Sequence, residues 1–293
     1  MQFDQLLQFI ISGITSGSIY ALIALGFTLI YNSTQVINLA QGEFVVYGGL
    51  IAVSLYVGAG LPLFAAVLLS IVIVTLIGVV FERLAIRPLI NHSIMTLIIV
   101  TVGASILFKN IAMIIWGRDP LTIPAFSGDD PIMFFGASII PQSIWVFGIT
   151  MVTVVLLQIF YKKTITGKAM KACSINQTAA KLMGINSSNV VLLSFALSAA
   201  FGAIAGVLIA PISMVSYSMG GFLGLKGFAG AVLGGLGNPI GAVVGGILLG
   251  ILESLSIGFI ASGYKDAVAF LILLLVLFLR PSGILGARIK EKV

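Results

Sequence analysis

Long apolar stretches, each close to the length of a membrane span, limit what this chain can fold into. Hydrophobic residues make up 59% of the 293 positions and charged residues only 8%, whereas soluble domains contain about 25% charged residues. So few charged groups cannot cover the surface of a soluble protein, and a transmembrane helix needs about 20 apolar residues. The sequence therefore predicts an all-α, polytopic bundle of membrane helices that forms a single transmembrane domain over residues 1–293.

The apolar segments predict about nine spans, within a range of roughly eight to ten. Two of them have an unusual composition, because one begins with several polar side chains and the other is crowded with glycine. The N-terminus has no basic run and contains Asp4, so we expect the first span to be retained and not cleaved as a signal peptide. The predicted spans are residues 6–30, 38–57, 61–81, 94–116, 141–161, 189–213, 222–236, 238–258 and 264–279.

Basic residues are concentrated in three of the segments outside these spans, namely 82–92, 162–188 and 280–293. Lysine and arginine are enriched in cytoplasmic loops, so we place these three segments in the cytoplasm. Segment 117–140 is acidic and rich in proline, which favours the outside. Nine crossings then put the N-terminus outside and the C-terminus inside the cell.

The order of the spans predicts an inverted-topology repeat. With 141–161 as a connector span and 162–188 as a cytoplasmic coupling loop, the four spans of the first half (about 6–117) correspond in order to those of the second (about 189–280). Each pair would cross in opposite directions, and the two unusual segments occupy the same place in the two halves. Such paired, glycine-interrupted segments are typical of translocation sites, although glycine is common in membrane helices and chance placement is the alternative.

Glycines recur four residues apart in several spans. Lipid gives helices no hydrophobic reason to associate, so close contact between small residues must hold a bundle together. We therefore predict tight helix packing at Gly13/Gly17, Gly202/Gly206, Gly230/Gly234, Gly241/Gly245 and Gly246/Gly250.

Polar residues and glycines within the unusual segments are candidates for a hydrophilic path. Charged groups inside a membrane are costly and often functional, which singles out Glu43 and Glu253. A structural role for Glu43, hydrogen-bonded to a helix end or another span, is the alternative. Lys226 and Asp266 lie near external helix ends, where we favour interfacial anchoring. The predicted translocation-path residues are Asn38, Gln41, Gly42, Glu43, Gly227 and Glu253.

Several kinds of site are excluded by missing motifs. The chain has no P-loop, and its glycine-rich run 234–246 lacks the βαβ unit of a dinucleotide fold. The single Cys173 allows no internal disulfide, and the lone His92 has no second ligand at metal spacing. We therefore expect no catalytic residue, no metal site and no cofactor in this chain. Cytoplasmic loops account for the net charge of +6 without a nucleic-acid partner.

The longest polar run, residues 162–186, predicts a short helix outside the lipid. Asn176 can act as an N-cap, and Gly184 can end a helix over 177–183 as a left-handed residue. A helix only about 10 Å long is not stable alone in water, so it must lie on another surface. A soluble partner could grip such a helix, and an ordinary basic loop is the alternative.

Seven sequence blocks follow one another from near the N-terminus to the tail in the order of a known family. They are GSIYALIALGFTLIY (17–31), VINLAQGEF (36–44), ERLAIRPL (82–89), TGKAMKACSINQTAAKLMGIN (166–186), GLKGFAGAVLGGLGNPIGAVVGGILLGILE (224–253), YKDAVAF (264–270) and RPSGILG (280–286). This ordered set resembles the LivH-type permeases of branched-chain amino-acid ABC importers. It covers nearly the whole chain and lacks a large insertion.

The resemblance implies a type II-like importer permease in the bacterial cytoplasmic (inner) membrane. Its partners would be a second homologous permease subunit, two ABC ATPase subunits that carry ATP and Mg, and an external amino-acid-binding protein that delivers leucine, isoleucine or valine. The short helix in 162–186 would be the coupling helix seated on an ATPase. The coupling residues implied in this way are Gly167, Ala169, Ala172, Asn176, Ala179, Ala180, Met183 and Gly184.

The residues leave two other classes open. An ion-coupled secondary amino-acid transporter also uses inverted repeats, and Glu43 or Glu253 could serve its coupling ion. An intramembrane enzyme would need paired catalytic carboxylates or a metal motif, which we do not find. The sequence also leaves open the substrate among branched-chain and other amino acids, amides or urea, because in the family that it resembles the binding protein sets most of the selectivity. It does not distinguish a homodimer from a heterodimer.

Overall fold

The computed structural model of the chain describes residues 3–286 apart from residues 91, 129, 135, 260, 261 and 281. Helices dominate, as predicted, and a short antiparallel hairpin joins strands β1 (Ile132–Phe134) and β2 (Ala137–Ile139). The helices are α1 (Phe3–Thr34), α2 (Gln41–Val53), α3 (Leu63–Phe81), α4 (Ile94–Trp116), α5 (Pro141–Lys163), α6 (Ile165–Ile175), α7 (Gln177–Leu182), α8 (Ser187–Ser213), α9 (Gly220–Gly234), α10 (Pro239–Phe259) and α11 (Lys265–Leu279).

Each of the nine predicted spans lies on a helix, but the helices differ in length. Within the described residues, six are long and apolar enough to cross a membrane: α1, α3, α4, α5, α8 and α10. The helices α2, with 13 residues, and α9 and α11, with 15 each, are shorter. A 15-residue α-helix extends only about 22 Å, against a hydrocarbon core of about 30 Å. Nine complete crossings therefore stay a prediction.

The structure contains irregular turns and one additional surface helix that the sequence did not predict. The π-helical residues Ser54–Gly58 continue α2, and residues Glu82–Ile86 and Arg87–Leu89 continue α3 as a π-helix and a 3-10 turn. The polar run 162–186 forms two helices, α6 and α7, where the sequence analysis isolates only the second. The basic tail residues Arg288, Lys290 and Lys292 lie outside the described residues.

The helices fall into a central and a peripheral group. In the most apolar stretches of α1, α8 and α10, 67%, 67% and 56% of the residues are buried, against 22%, 17% and 22% in α3, α4 and α5. All 13 residues of α2 are buried. The peripheral helices can thus present their apolar side chains to lipid, whereas α2 is surrounded by protein. This burial explains why the segment 38–57 tolerates polar residues at its start.

The most extensive packing joins helices from opposite halves of the chain. Helix α1 packs on α10 and on α8, and α2 packs on α8. Helix α8 also packs on α3, and α9 packs on α10, α1 and α2. The connector α5 lies on α1 and carries the surface helix α6. The two halves therefore share one core.

Glycines bring these central helices into backbone contact. A Cβ atom added to Gly17 of α1 would lie 2.7 Å from the Cα of Ile247 on α10, and one added to Gly246 would lie 2.6 Å from the Cα of Ala21. In all five predicted glycine pairs, an added Cβ would come within 3.0 Å of an atom in another helix. Such close approach maximises van der Waals contact where lipid gives no hydrophobic gain. The predicted role of the glycine pairs in packing is confirmed.

Replacing Gly17 by alanine tests this contact. The added methyl group has no space against Ile247, so we expect Gly17→Ala to destabilise the folded chain by about 1–3 kcal/mol, as overpacked cores do. The matched control is Gly148→Ala on α5, where no neighbouring atom lies within 4 Å. Thermal unfolding of the purified chain in detergent should show a lower Tm for Gly17→Ala alone. Equal Tm values for the two variants would contradict the packing role.

Candidate transport path and docking segment

Polar side chains at the start of α2 hold that helix in place. Gln41 is fully buried, donates from Nε2 to the Ser198 carbonyl of α8 at 3.1 Å, and accepts a hydrogen bond from the Ser198 hydroxyl. Asn38 is also buried, and its Oδ1 accepts from the Ala40 backbone N–H at 3.2 Å. Buried amides need such partners, and a satisfied pair fixes how two helices lie together. Gln41 therefore joins α2 to α8.

The next two residues join α2 to α9 and α4. An added Cβ on Gly42 would overlap the Gly220 carbonyl at the start of α9. The Glu43 carboxylate lies against Gly220, and its Oε1 accepts from the Ser105 hydroxyl of α4 at 3.0 Å. Glu43 is buried, and its Oε2 has no hydrogen-bond partner among the described residues. The position at the N-terminus of α9 favours a negative charge, because the helix dipole is positive there.

Glu253 of α10 belongs to a buried cluster of charged side chains. The Lys226 ammonium of α9 lies 2.7 Å from Glu253 Oε1 and 2.7 Å from Asp266 Oδ1 of α11. Tyr20 of α1 donates its hydroxyl to Glu253 Oε2 at 2.9 Å. The side chains of Lys226 and Glu253 are 8% and 7% exposed, whereas that of Asp266 is 44% exposed. Buried charges persist when they are paired in this way, and the cluster ties four helices together.

The cluster corrects one interpretation made from the sequence. Lys226 is buried and paired with Glu253 and Asp266, so its interpretation as an interfacial anchor is wrong. The sequence contained a signal for this pair, namely an isolated lysine and an isolated glutamate in two neighbouring apolar segments. Pairing of the two side chains offsets the free-energy cost of burying each charge. Gly227 contacts α1, since an added Cβ would lie 2.6 Å from the Ile23 Cβ. Gly227 therefore lies in a contact between two helices and not beside an open path.

A cavity of about 830 Å³ lies beside the cluster, between the start of α1, the ends of α8 and α10, and the starts of α9 and α11. We call it the charged cavity because Lys226, Glu253 and Asp266 line it together with Tyr20 and with Lys109 of α4. Of the six predicted path residues, Glu253 alone lines this cavity. Gln41, Gly42, Glu43 and Gly227 lie in contacts between helices, and Asn38 hydrogen-bonds to Ala40 in the turn before α2. The predicted path residues therefore do not all line one cavity.

The second helix of the polar run, α7, has a defined cap at each end. The Asn176 side chain accepts from the Ala179 backbone N–H at 3.0 Å and so caps α7 at its start. At the other end Gly184 has φ +84°, and its N–H donates to the Lys181 carbonyl, while Ile185 N–H donates to the Ala180 carbonyl, both at 3.0 Å. This is the Schellman arrangement. The predicted cap residues are confirmed, with Met183 as the residue between helix and glycine.

The inner face of these helices packs on the bundle. We define residues 164–185 as the docking segment. Cys173 and Ala180 are buried in an apolar cluster with residues of α1, α5 and α8, and Gln177 donates from Nε2 to the Ser33 carbonyl of α1 at 3.3 Å. Burial raises the pKa of the Cys173 thiol, and the nearby Lys181 ammonium opposes that shift. The short helix thus has the supporting surface that its length requires.

The outer face of the docking segment exposes large apolar side chains. Leu182 and Met183 are each 84% exposed, Ile165 is 87% exposed and Ile175 is 79% exposed. The coupling residues predicted from the sequence do not include Leu182, Ile165 and Ile175. Four of the predicted coupling residues are at least partly buried against the bundle: Gly167, Ala169, Ala172 and Ala180. The other four are exposed: Asn176, Ala179, Met183 and Gly184.

Several transport permeases are similar to this chain over most or all of its length. It is 37% identical over 305 residues to the high-affinity branched-chain amino acid transport system permease protein LivH of Escherichia coli K12, covering 100% of this chain and 99% of that protein. It is 35% identical over 300 residues to the corresponding BraD protein of Pseudomonas aeruginosa, covering 98% of both. It is 26% identical to the ribose import permease protein RbsC of Haemophilus influenzae, and the match covers 88% of this chain and 80% of that protein.

A solved structure and a family pattern also match. The chain is similar to PsaBC from Streptococcus pneumoniae in complex with Fab, with a TM-score of 0.47 and 15% identity, covering 95% of this chain and 91% of that one. The family described as branched-chain amino acid transport system / permease component matches residues 9–277. That match covers most of the chain, which therefore belongs to the family of branched-chain amino acid transport system permease components.

Proposed function

We propose that this chain is the membrane permease subunit of an ATP-driven importer of branched-chain amino acids. Relatives that match it from end to end are named for that transport. The observation that carries the proposal is the docking segment, in which a six-residue helix with a cap at each end rests on core helices and exposes large apolar side chains. Such an element is suited to receive force from a soluble partner.

The energy for transport would come from other subunits. The chain has no P-loop motif, so ATP and Mg would be bound by two ABC ATPase subunits. A second homologous permease would complete the membrane part, and an external binding protein would deliver leucine, isoleucine or valine. Selectivity would then depend largely on that binding protein.

The docking segment would pass ATPase motion to the core through its inner face. Exposed apolar side chains such as Leu182 and Met183 gain free energy when a partner covers them, by about 25 cal/mol per Å² of apolar area. On the opposite face, Gln177 holds the Ser33 carbonyl of α1, and Ala180 packs among core residues. A push on α7 would therefore act directly on α1 and α8, which are central helices.

The helix contacts support an inverted repeat as the mechanical plan. If α1–α4 correspond to α8–α11, the contact of α1 with α10 corresponds to that of α8 with α3. The contact of α2 with α8 likewise corresponds to that of α9 with α1. Two halves that pack by equivalent contacts can rock about a shared axis and open alternately to each side. This alternation would carry the amino acid across.

The charged cavity and the docking segment lie at opposite ends of the bundle. The charged cavity is formed by the start of α1 and the end of α10, whereas the docking segment follows the end of α5 and precedes α8. A second cavity beside the docking segment is lined by Lys162, Lys168 and Lys171, as expected of a cytoplasmic face. In the proposed orientation the N-terminus and the charged cavity face outward.

One observation favours a second candidate function. Glu43 is buried with an oxygen that has no hydrogen-bond partner in the described part of the chain, and a carboxylate of this kind could bind a proton or a cation. An ion-coupled secondary transporter would use such a site. Glu253, the other candidate, is already paired with Lys226 and Tyr20.

Reconstitution separates the two functions. The chain is inserted into liposomes with its partner permease, ATPases and binding protein, and uptake of radiolabelled leucine is measured. We expect uptake to require ATP on the ATPase side and to be unaffected by a protonophore or a sodium ionophore, because no step uses an ion gradient. Vesicles loaded with ADP are the control. Uptake that continues without ATP and stops with an ionophore would disprove the ABC importer.

A charge on the outer face of the docking segment tests the coupling. Met183→Asp places a carboxylate where an apolar contact is proposed, and we expect leucine uptake and leucine-stimulated ATPase activity to fall at least about tenfold, the effect of losing ~1.4 kcal/mol of binding free energy. Met133→Asp is the matched control, because Met133 is 68% exposed in the hairpin at the other end of the bundle. Coupling that is unchanged in Met183→Asp would place the ATPase contact elsewhere.

A further inference from the structure

The charged cavity contains charged groups that are not satisfied within the described residues. Both ion pairs in this part of the chain are made by Lys226. Lys109 and Lys265 also line the cavity and have no carboxylate within ion-pair distance among the described residues. Asp266 keeps 44% of its side chain exposed. The cavity therefore offers both an accessible carboxylate and accessible ammonium groups.

The buried part of the cluster explains why Asp266 can accept another cation. Lys226 carries one positive charge but faces two carboxylates, those of Glu253 and Asp266, so the three groups together keep one negative charge. The Lys226–Glu253 pair is nearly inaccessible, and the Tyr20 hydroxyl further satisfies Glu253. The uncompensated negative charge is thus available at Asp266, which Lys226 also holds in place. A ligand ammonium at this edge would complete the charge balance.

The rest of the lining suits a small amphipathic ligand. Hydroxyl groups are contributed by Ser12, Ser16, Ser213 and Ser218, and apolar walls by residues that include Ile209, Ile212 and Phe222. The volume of about 830 Å³ lies within the range of about 300–1,000 Å³ found for ligand pockets. Pockets of this type combine an apolar surface with a few polar groups that fix orientation.

Opposite charges around one cavity discriminate between classes of ligand. A simple anion would meet Glu253 and Asp266, and a simple cation would meet three lysines. A neutral apolar solute would leave Lys109 and Lys265 without a partner and would remove water from the exposed side of Asp266, which is costly. A zwitterion satisfies groups of both signs at once.

We propose that the charged cavity binds the zwitterionic main-chain groups of a free α-amino acid during transport. The α-ammonium group pairs with Asp266, and the α-carboxylate pairs with the lysines Lys109 and Lys265. The aliphatic side chain lies against the apolar wall. This inference rests on the proposed transport function and assigns to the permease a recognition of the main chain that would be separate from side-chain selection by a binding protein.

Protection of a reporter thiol tests the assignment. In a Cys173→Ser background, Ser12→Cys places one thiol in the cavity of the complete transporter, assembled with its partner permease, ATPases and binding protein and kept without ATP. The rate of reaction with a membrane-impermeant maleimide is measured against ligand concentration. Leucine should slow the reaction. Leucinamide lacks the carboxylate and 2-hydroxy-4-methylpentanoate lacks the ammonium group, so neither should protect at the same concentrations.

Charge variants locate the two ends of the ligand. Asp266→Asn should raise the leucine concentration for half-protection about tenfold or more, the effect of losing a charge-assisted hydrogen bond, and Asp266→Glu should restore it. The double variant Lys109→Gln with Lys265→Gln should have a similar effect. Asp119→Asn and Arg118→Gln, which alter exposed charges in the loop after α4, are the matched controls and should leave protection unchanged.

The outcomes separate this inference from the transport function. Equal protection by the hydroxy acid and leucine, or unchanged half-protection in the Asp266 and lysine variants, would overturn the assignment. Asp266→Asn could fail to assemble, since Asp266 also pairs with Lys226, and the ligand analogues with the wild-type cavity then decide. ATP-dependent leucine uptake by the unmodified complex is measured in parallel. Normal uptake without protection by leucine refutes this site alone, whereas absent uptake refutes the proposed function.

Discussion

Backbone contact between α1 and α10 determines much of the remaining architecture. Lipid is as apolar as leucine, so helices in a membrane do not associate to escape water, and close packing with buried hydrogen bonds must hold them. Here glycines on both helices remove the side chains that would separate them, and Gly17 and Gly246 lie almost against the opposite main chain. Helices from opposite halves thereby share a single core, and α3, α4 and α5 lie at its periphery with most of their apolar surface exposed.

That dense core permits short helices and charged groups at membrane depth. The 13 residues of α2 need not span lipid, because protein surrounds all of them, and Gln41 can spend its hydrogen bonds on Ser198 of α8. The Lys226–Glu253 pair is tolerated for the same reason, since each charge has a partner at 2.7 Å. Irregular or charged elements inside a membrane are stable only where protein, and not lipid, meets them.

Helix α1 links the two regions that we assign to function. Its Tyr20 donates to Glu253 in the charged cluster, and its Ser33 carbonyl accepts from Gln177 of the docking segment. These residues lie 13 positions apart, or about 20 Å along an α-helix. A displacement of α7 could therefore reach the wall of the charged cavity through one rigid element. This transmission of motion through α1 is part of the proposed role of the docking segment.

The sequence predicted local features well and spatial relations poorly. Apolar stretches placed the nine helical segments, the glycine spacing predicted their close packing, and Asn176 and Gly184 located the ends of α7, because each signal depends on neighbours in the chain. The contacts of Gln41 with α8 and of Gly227 with α1 could not be predicted, since they depend on which helix lies opposite. Sequence spacing likewise did not show that Gln177 contacts α1 while Leu182 faces outward.

Site-directed photocrosslinking from position 183 tests the central claim most directly. A benzophenone maleimide is attached to Met183→Cys in a Cys173→Ser background, and the assembled transporter is illuminated in its membrane. If ATP-driven motion enters through the outer face of the docking segment, the probe should crosslink to an ABC ATPase subunit, and the same probe at Met133→Cys should not. Crosslinks from position 183 only to lipid or to the permeases, in a complex that transports leucine, would contradict the account.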